Sequence, residues 1–322
     1  LCFTDKTLAQ FAQEFAAQGG KTLLIDQVFK YPNWSQELRY CYDNIPQLNI
    51  VFTGSSVMRL KEDNPYLADV VHSYNLRGFS FREYLNLFTN ANIKALTLDE
   101  LLKNHQQIAE EITQKINPFD YFDAYLQHGF YPFFLEKRNF SENLLKTMNM
   151  MMEVDILLIK QIEPAYLTKI RKLLYMLVKD APCTPNVSKL SQEISTSRAT
   201  VVNYIKYLSD ARLINVLYEE GESFPKKPAK VYMHNPNLMQ VVGEENLNPQ
   251  SLAETFFCNA LFKDHTVTKG EKGVHFVIDG EYSFKVGTIK YRKKETNIIY
   301  AEDNIMIGRE NVVPLWMFGL LY

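Results

Sequence analysis

The sequence has no long hydrophobic run. No stretch approaches the roughly 20 apolar residues that carry a helix across a bilayer, although 46% of the 322 residues are hydrophobic. Cysteine is scarce: Cys2, Cys41, Cys183 and Cys258 are far apart in the chain. They show neither metal-ligand spacing nor a disulfide pattern. The six histidines do not cluster either. An excess of charge of one sign is also missing. The formal net charge is −2, so nothing global draws the chain to nucleic acid or to an anionic membrane. These absences point to a reduced, cytoplasmic protein with no structural metal and no membrane partner. The length is enough for two or three domains.

A phosphate-binding loop is missing too, despite a decoy. Gly20-Lys21-Thr22 has the tail of the G-x-x-x-x-G-K-S/T motif, but the position five before Gly20 is Phe15. Such a loop needs a strand before it and a helix after it, so that backbone N–H groups face the phosphates. Here the order is reversed. Leu8, Phe11, Ala12 and Phe15 form a helical stripe that stops at Gly19-Gly20, and a strand follows. The opening Leu1–Asp5 reads as the end of another strand.

The stretch Lys21–Ser56 organises the chain. Two short apolar runs, Thr22–Val28 and Leu48–Thr53, bracket a segment with helical spacing, Ser35–Tyr42. This pattern predicts two buried parallel strands with a helical crossover. Asp26 and Gln27 end the first run, and Thr53-Gly54-Ser55-Ser56 ends the second. Ligands bind outside the carboxyl ends of parallel strands, so both polar tips face one crevice.

Further on, Asn64–Phe79 reads as loop, strand and turn. Ser80 and Glu83 form a capping box opening the helix that contains Phe81, Leu85 and Phe88. Thr97–Glu163 reads as several helices: Asp99–Ile116, Phe119–Leu126 and Ser141–Ile162, with a turn at His128–Pro132. The methionines 148, 150, 151 and 152 are read as core filler. Three helices follow, Lys169–Lys179, Val187–Ile194 and Ser195–Leu208, then a hairpin of Leu213–Tyr218 with Lys230–Met233. Between Lys160 and Lys230 stand 12 Lys/Arg against 7 Asp/Glu. That local basic excess suits nonspecific duplex binding. Arg198, Asn203 and Lys206, on the outward face of the third helix, are of types that contact phosphates and base edges. The remainder alternates a helix, Ser251–Leu261, with strands Val274–Ile278 and Tyr282–Val286 joined at Asp279-Gly280.

LLIDQV resembles a Walker B strand and IVFTGSS the sensor strand beside it. With KYPNWSQEL, GFSFREYL, NPNL, ETFF and the closing PLWMFGLLY in order, nearly the whole chain resembles a family of bacterial and archaeal AAA+-type P-loop ATPases. Members of that family carry a winged helix and a restriction-endonuclease-like domain. The resemblance implies an α/β fold: a partial P-loop parallel sheet over 1–85, a helical lid over 86–163, a winged helix over 164–235, and a small endonuclease-like α/β domain over 236–322. It places the first strand, the P-loop and the first helix before Leu1, so a longer natural protein is expected.

The same resemblance implies roles. Asp26 would hold the magnesium of Mg-ATP through water, and Thr53 or Ser55 would sense the γ-phosphate. Gln27 stands where the family commonly has the glutamate that polarises water, so hydrolysis is expected to be impaired. Arg77 and Arg82 lie near the family's arginine fingers, although a surface or ion-pair role is the stronger expectation. In the last domain Glu254, Asp279 and Lys285 occupy a degenerate nuclease-like site. Lys285 stands where an acid would bind magnesium, with Lys290, Lys293 and Lys294 in a basic run after it. Hence the fold is expected to be retained and the nuclease lost. The expected partners are ATP and, through the winged helix, double-stranded DNA, with a homo-oligomer or protein partner left open. The competing reading is a noncatalytic DNA-binding or scaffold protein.

Overall fold

The computed structural model describes residues 6–55, 57, 64–136, 138–243, 247–271, 273–288 and 295–322. The strand end expected at Leu1–Asp5, Ser56, and the basic run at Lys290, Lys293 and Lys294 lie outside them. In chain order the first half forms α1 (Leu8–Ala17), β1 (Thr22–Ile25), α2 (Trp34–Asn44), β2 (Asn49–Phe52), α3 (Phe81–Thr89), α4 (Leu98–Thr113), α5 (Phe119–Ala124), α6 (Phe140–Met150) and α7 (Leu157–Lys160). The second half forms α8 (Leu167–Asp180), α9 (Val187–Glu193), α10 (Arg198–Asp210), β3 (Ile214–Leu217), β4 (Lys230–Met233), α11 (Pro236–Val242), α12 (Pro249–Leu261), β5 (Val267–Lys269), β6 (Phe276–Ile278), β7 (Tyr282–Gly287), β8 (Ile299–Glu302) and β9 (Val312–Pro314).

Contacts divide the chain into two units. One comprises residues 1–76 with 151–164, the other 77–150 with 165–322. In the first unit, β1 and β2 pair in parallel with Leu23 opposite Ile50 and Ile25 opposite Phe52. The crossover is α2. Leu23 is buried with Leu8 and Ala12 of α1 and with Leu38 and Cys41 of α2. On the other face Leu24 and Val51 stand side by side, 71% and 54% exposed. Thr7 and Gln10 cap α1 reciprocally. Its end explains the decoy: Gly19 takes φ +88, and a Cβ on Gly20 would lie 2.3 Å from the Phe15 ring. Gly20-Lys21-Thr22 is therefore a helix stop feeding β1, with no phosphate loop. The strand expected between Asn64 and Phe79 does not form. Pro65–Leu67 makes a 3-10 turn, and Tyr74 and Leu76 are about nine-tenths exposed, so burial does not hold an extended segment there.

The second unit is built on a five-stranded sheet in the order β5-β6-β7-β8-β9. β5, β6 and β7 are antiparallel; β7, β8 and β9 are parallel. α12 packs on it through Phe257, whose ring meets Phe276, Phe284 and Phe318 at 4.7–5.1 Å. The closing Leu315–Leu320 is a buried 3-10 segment. Gly319 admits Phe81 so closely that a Cβ there would be 2.5 Å from the Phe81 Cβ.

That contact joins α3 to the C-terminal unit. α3, capped by Ser80 and Glu83 as anticipated, shares its core with α4, α5, α12 and the five-stranded sheet. Leu96 N–H donates to Leu320 O at 3.0 Å. Residues 77–150 are thus part of the C-terminal core, where a lid of the N-terminal sheet had been expected. The expected helix over Ser141–Ile162 is continuous but widens into a π-helical turn at Met151–Ile156, and from there it belongs to the N-terminal unit. α8, α9, α10 and the β3–β4 hairpin lie where the periodicity places them. Ser197 caps α10 by accepting from the Thr200 N–H. A second π-helical turn, Tyr125–Gly129, leaves carbonyls outside the normal helical ladder. Asn237 of the NPNL stretch takes them up, donating to Tyr125 O at 3.0 Å and Leu126 O at 2.9 Å while accepting from Phe130 N–H.

Candidate functional site

The two parallel strands end side by side, and their tips are tied together. Thr53 N–H donates to Ile25 O, and Val28 N–H donates to Thr53 O at 3.0 Å. To make that turn Gln27 takes the left-handed conformation, φ +50, a cost of order 1–3 kcal/mol for a non-glycine residue. In this posture its N–H donates to Thr53 Oγ1 at 2.8 Å. The same hydroxyl donates to Asp26 Oδ1. Asp26 and Thr53 are exposed; among the described residues no donor reaches Asp26 Oδ2. The structure therefore brings Asp26, Gln27 and Thr53 together. Ser55, two residues on, donates to Asp155 Oδ2 at 2.5 Å and accepts from Val57 N–H. Burial raises the Asp155 carboxyl above the usual range, against the Ser55 hydrogen bond and the nearby Lys30 ammonium. Asp155 comes from the π-helical turn 100 residues away, and no local pattern links it to the strand tips.

A single exposed carboxylate at such a tip fits Mg²⁺, which keeps several waters and binds through one or two carboxylates plus phosphate oxygens. Among the described residues no group of three or more His, Cys, Asp or Glu side chains that could hold a metal ion forms.

The two arginines considered as fingers are committed elsewhere. Arg77 donates to Asn259 O at 3.3 Å and Phe262 O at 2.6 Å, closing the carboxyl end of α12. Burial pulls its pKa below the ordinary value. Arg82 donates to Tyr322 O at 2.8 Å. Both therefore satisfy backbone carbonyls of the C-terminal unit.

In the three-helix region, Arg198 and Asn203 line a cleft of about 440 Å³ together with Ser188 of α9 and Lys227 and Pro225 of the hairpin loop. Lys206 does not join them. It is half-buried and ion-paired with Asp210, one turn along α10. Lys227 supplies the cation instead; the spacing did not reveal it because it arrives from the hairpin loop.

The nuclease-like residues bond to different partners. Glu254 is 6% exposed and accepts from Lys230 Nζ at 2.8 Å, Tyr232 OH at 2.9 Å and Gln250 Nε2 at 3.0 Å. His275 Nδ1 lies 3.8 Å away. Burial alone would raise the Glu254 carboxyl, but the Lys230 ammonium and the hydrogen bonds hold it below the usual range. Asp279 has other partners, His265 Nδ1 at 2.6 Å and Thr266 N–H at 2.8 Å, and sits in the turn with φ +55. Lys285 pairs with Glu295 at 3.0 Å. Gln250 also donates to Val286 O at 2.6 Å, and a Cβ on Gly287 would lie 2.0 Å from its Oε1. The Glu254 carboxylate is thus filled by an internal cation, a phenol and an amide.

Residues 3–85 match a family described as an AAA domain, and residues 119–247 match a domain of unknown function (DUF8612). The AAA match ends within α3, nine residues past the division drawn by contacts. An uncharacterised protein of Methanocaldococcus jannaschii is 28% identical over 222 residues. The alignment covers 65% of this chain and 44% of that protein, so the chain spans less than half of its relative. No solved structure matches. Among the described residues no helix is long and apolar enough to cross a membrane.

Proposed function

Starting from an AAA domain at residues 3–85, we propose that the paired strand tips are the acid-and-sensor half of a Mg-ATP site with little or no hydrolytic power. The observation that carries this is the Thr53 hydroxyl bridging the Gln27 N–H and the Asp26 carboxylate at the carboxyl ends of adjacent parallel strands. Bound magnesium supplies neutralisation of phosphate charge. Asp26 would hold it through water, and Thr53 fixes which carboxylate oxygen is turned outward. Gln27 limits the chemistry, because an amide orients water but cannot take its proton. Loss of a general base is worth roughly 10²–10⁴ in rate. Mg-ATP binding titrated on the full-length protein tests this reading. Asp26→Ala should abolish binding, with wild-type turnover far below about 1 s⁻¹, the low end of ordinary enzymes. Turnover near that rate, lost in Asp26→Ala, would refute the impairment; affinity unchanged by Asp26→Ala would refute the site.

A second reading is noncatalytic duplex binding, in which α8–α10 and the hairpin act as a winged helix. It is favoured by the cleft that sets Arg198 and Asn203 against Lys227. Two cations and an amide around one concavity suit a phosphate backbone, and such binding falls steeply with salt. Arg198→Glu with Lys227→Glu should abolish duplex retention at low salt, while Lys206→Glu acts through α10 stability alone. Equal loss in the two cases would remove the cleft from the interface. The ion pair inside Glu254 supports reading the C-terminal sheet as an inactive nuclease relative.

A further inference from the structure

Ser55 has one hydroxyl hydrogen, and it is already given away. It points to Asp155 Oδ2 at 2.5 Å, while the Ser55 oxygen is occupied by the Val57 N–H at 3.2 Å. The acceptor is a carboxylate, and it is half-buried, so solvent screens its charge only in part. Met152 and Ile156, flanking Asp155 on the same π-helical turn, are buried and anchor it. Thr53, the other hydroxyl at the tips among the described residues, is committed to Asp26.

We propose that Asp155 sets this site's preference between ADP and ATP, by holding the Ser55 hydroxyl as an internal stand-in for a terminal phosphate oxygen. The inference rests on the nucleotide reading above. ADP leaves the Ser55–Asp155 pair intact. ATP must compete for the same hydrogen against a carboxylate that also repels its terminal phosphate. Lys30, the cation beside Asp155, can pair with either anion but not with both at full strength. Binding of ATP therefore loosens the turn at 151–156, whereas binding of ADP does not.

Titration calorimetry with Mg-ATP and Mg-ADP on the full-length protein tests this. Asp155→Asn keeps shape and removes charge, and it should tighten ATP about tenfold relative to ADP, the weight of one charge-assisted hydrogen bond. In Ser55→Ala the same change should leave the ATP/ADP ratio within about twofold. Amide exchange over 151–156 should rise with ATP and not with ADP, a readout that mere packing of Asp155 would not move. If Asp155→Asn shifts both nucleotides equally or neither, while Asp26→Ala still abolishes binding, the inference is overturned and the nucleotide site stands. If no variant binds either nucleotide, the site reading falls and takes the inference with it.

Discussion

Asp26 and Glu254 are both acids set against a sheet, and they are treated in opposite ways. Asp26 is exposed at the end of a two-stranded sheet whose outer face is uncovered at Leu24 and Val51, and it accepts one hydroxyl. Glu254 is buried against a five-stranded sheet and accepts from an ammonium, a phenol and an amide. A carboxylate with unfilled acceptor capacity facing water can take a ligand; one with every donor in place acts as a cross-link. Similar chemistry thus supports binding in one unit and rigidity in the other, and what separates them is how many donors the surrounding chain delivers.

The comparison is sharpest under deletion. Glu254→Ala strands the Lys230 ammonium in a largely dry site and should destabilise the C-terminal unit by about 3–5 kcal/mol, the usual cost of breaking a buried pair from one side. Asp26→Ala should cost well under 1 kcal/mol, as exposed interactions do. Denaturant unfolding of the two variants checks this, and equal losses would erase the distinction.

Acid should weaken the C-terminal unit next. Burial lowers the pKa of His128, His234 and His275. His234 Nδ1 donates to Asn215 Oδ1, whereas His275 Nδ1 accepts from the Val286 N–H, so the two are neutral in opposite tautomers. A folded pKa below the unfolded one means that the unfolded chain binds the extra proton. Stability is then full above about pH 6.5 and falls as pH drops through the window below it, by up to about 1.4 kcal/mol per unit for each group. Glu254, also held below its ordinary value, adds to the loss only at lower pH. Unfolding midpoints at pH 7.5 and 5.5 measure the slope; His275→Gln should flatten part of it.

The smallest effect belongs to the bare face. Leu24→Ser should change stability by no more than about 0.5 kcal/mol, while Leu23→Ala, one residue away and buried, should cost about 2–5 kcal/mol. A large loss in Leu24→Ser would mean that the face is covered in the native protein.

Much of the architecture is readable from local pattern. Leu23 alternating with Leu24, the cap at Ser80 and the stripe of Val201, Tyr204, Ile205 and Leu208 each depend on near neighbours. Asp26 and Thr53 were readable as a pair because parallel strands bring equivalent ends together. Asp155 was not, because its partner is 100 residues away across an intervening fold. Lys230 and His275 were missed for the same reason: each reaches Glu254 from another element. Asp279, an acid before glycine in a hairpin, was legible as a turn residue, and it bonds its own neighbourhood at His265 and Thr266. Lys206 is a different case. Asp210 stands four residues on, and the i,i+4 pairing rule alone argues against an outward cation.

The lacing of the chain has an evolutionary consequence. The path runs through the N-terminal unit to Leu76, into the C-terminal unit, back at Met151 and away again after Pro164. A module encoded in one continuous segment can be exchanged between genes by a single recombination event. Neither unit here meets that condition, since a crossover anywhere between 77 and 150 would part Asp155 from Ser55. The strand tips and the turn that touches them therefore cannot be moved to another gene without carrying the intervening segment 77–150 with them.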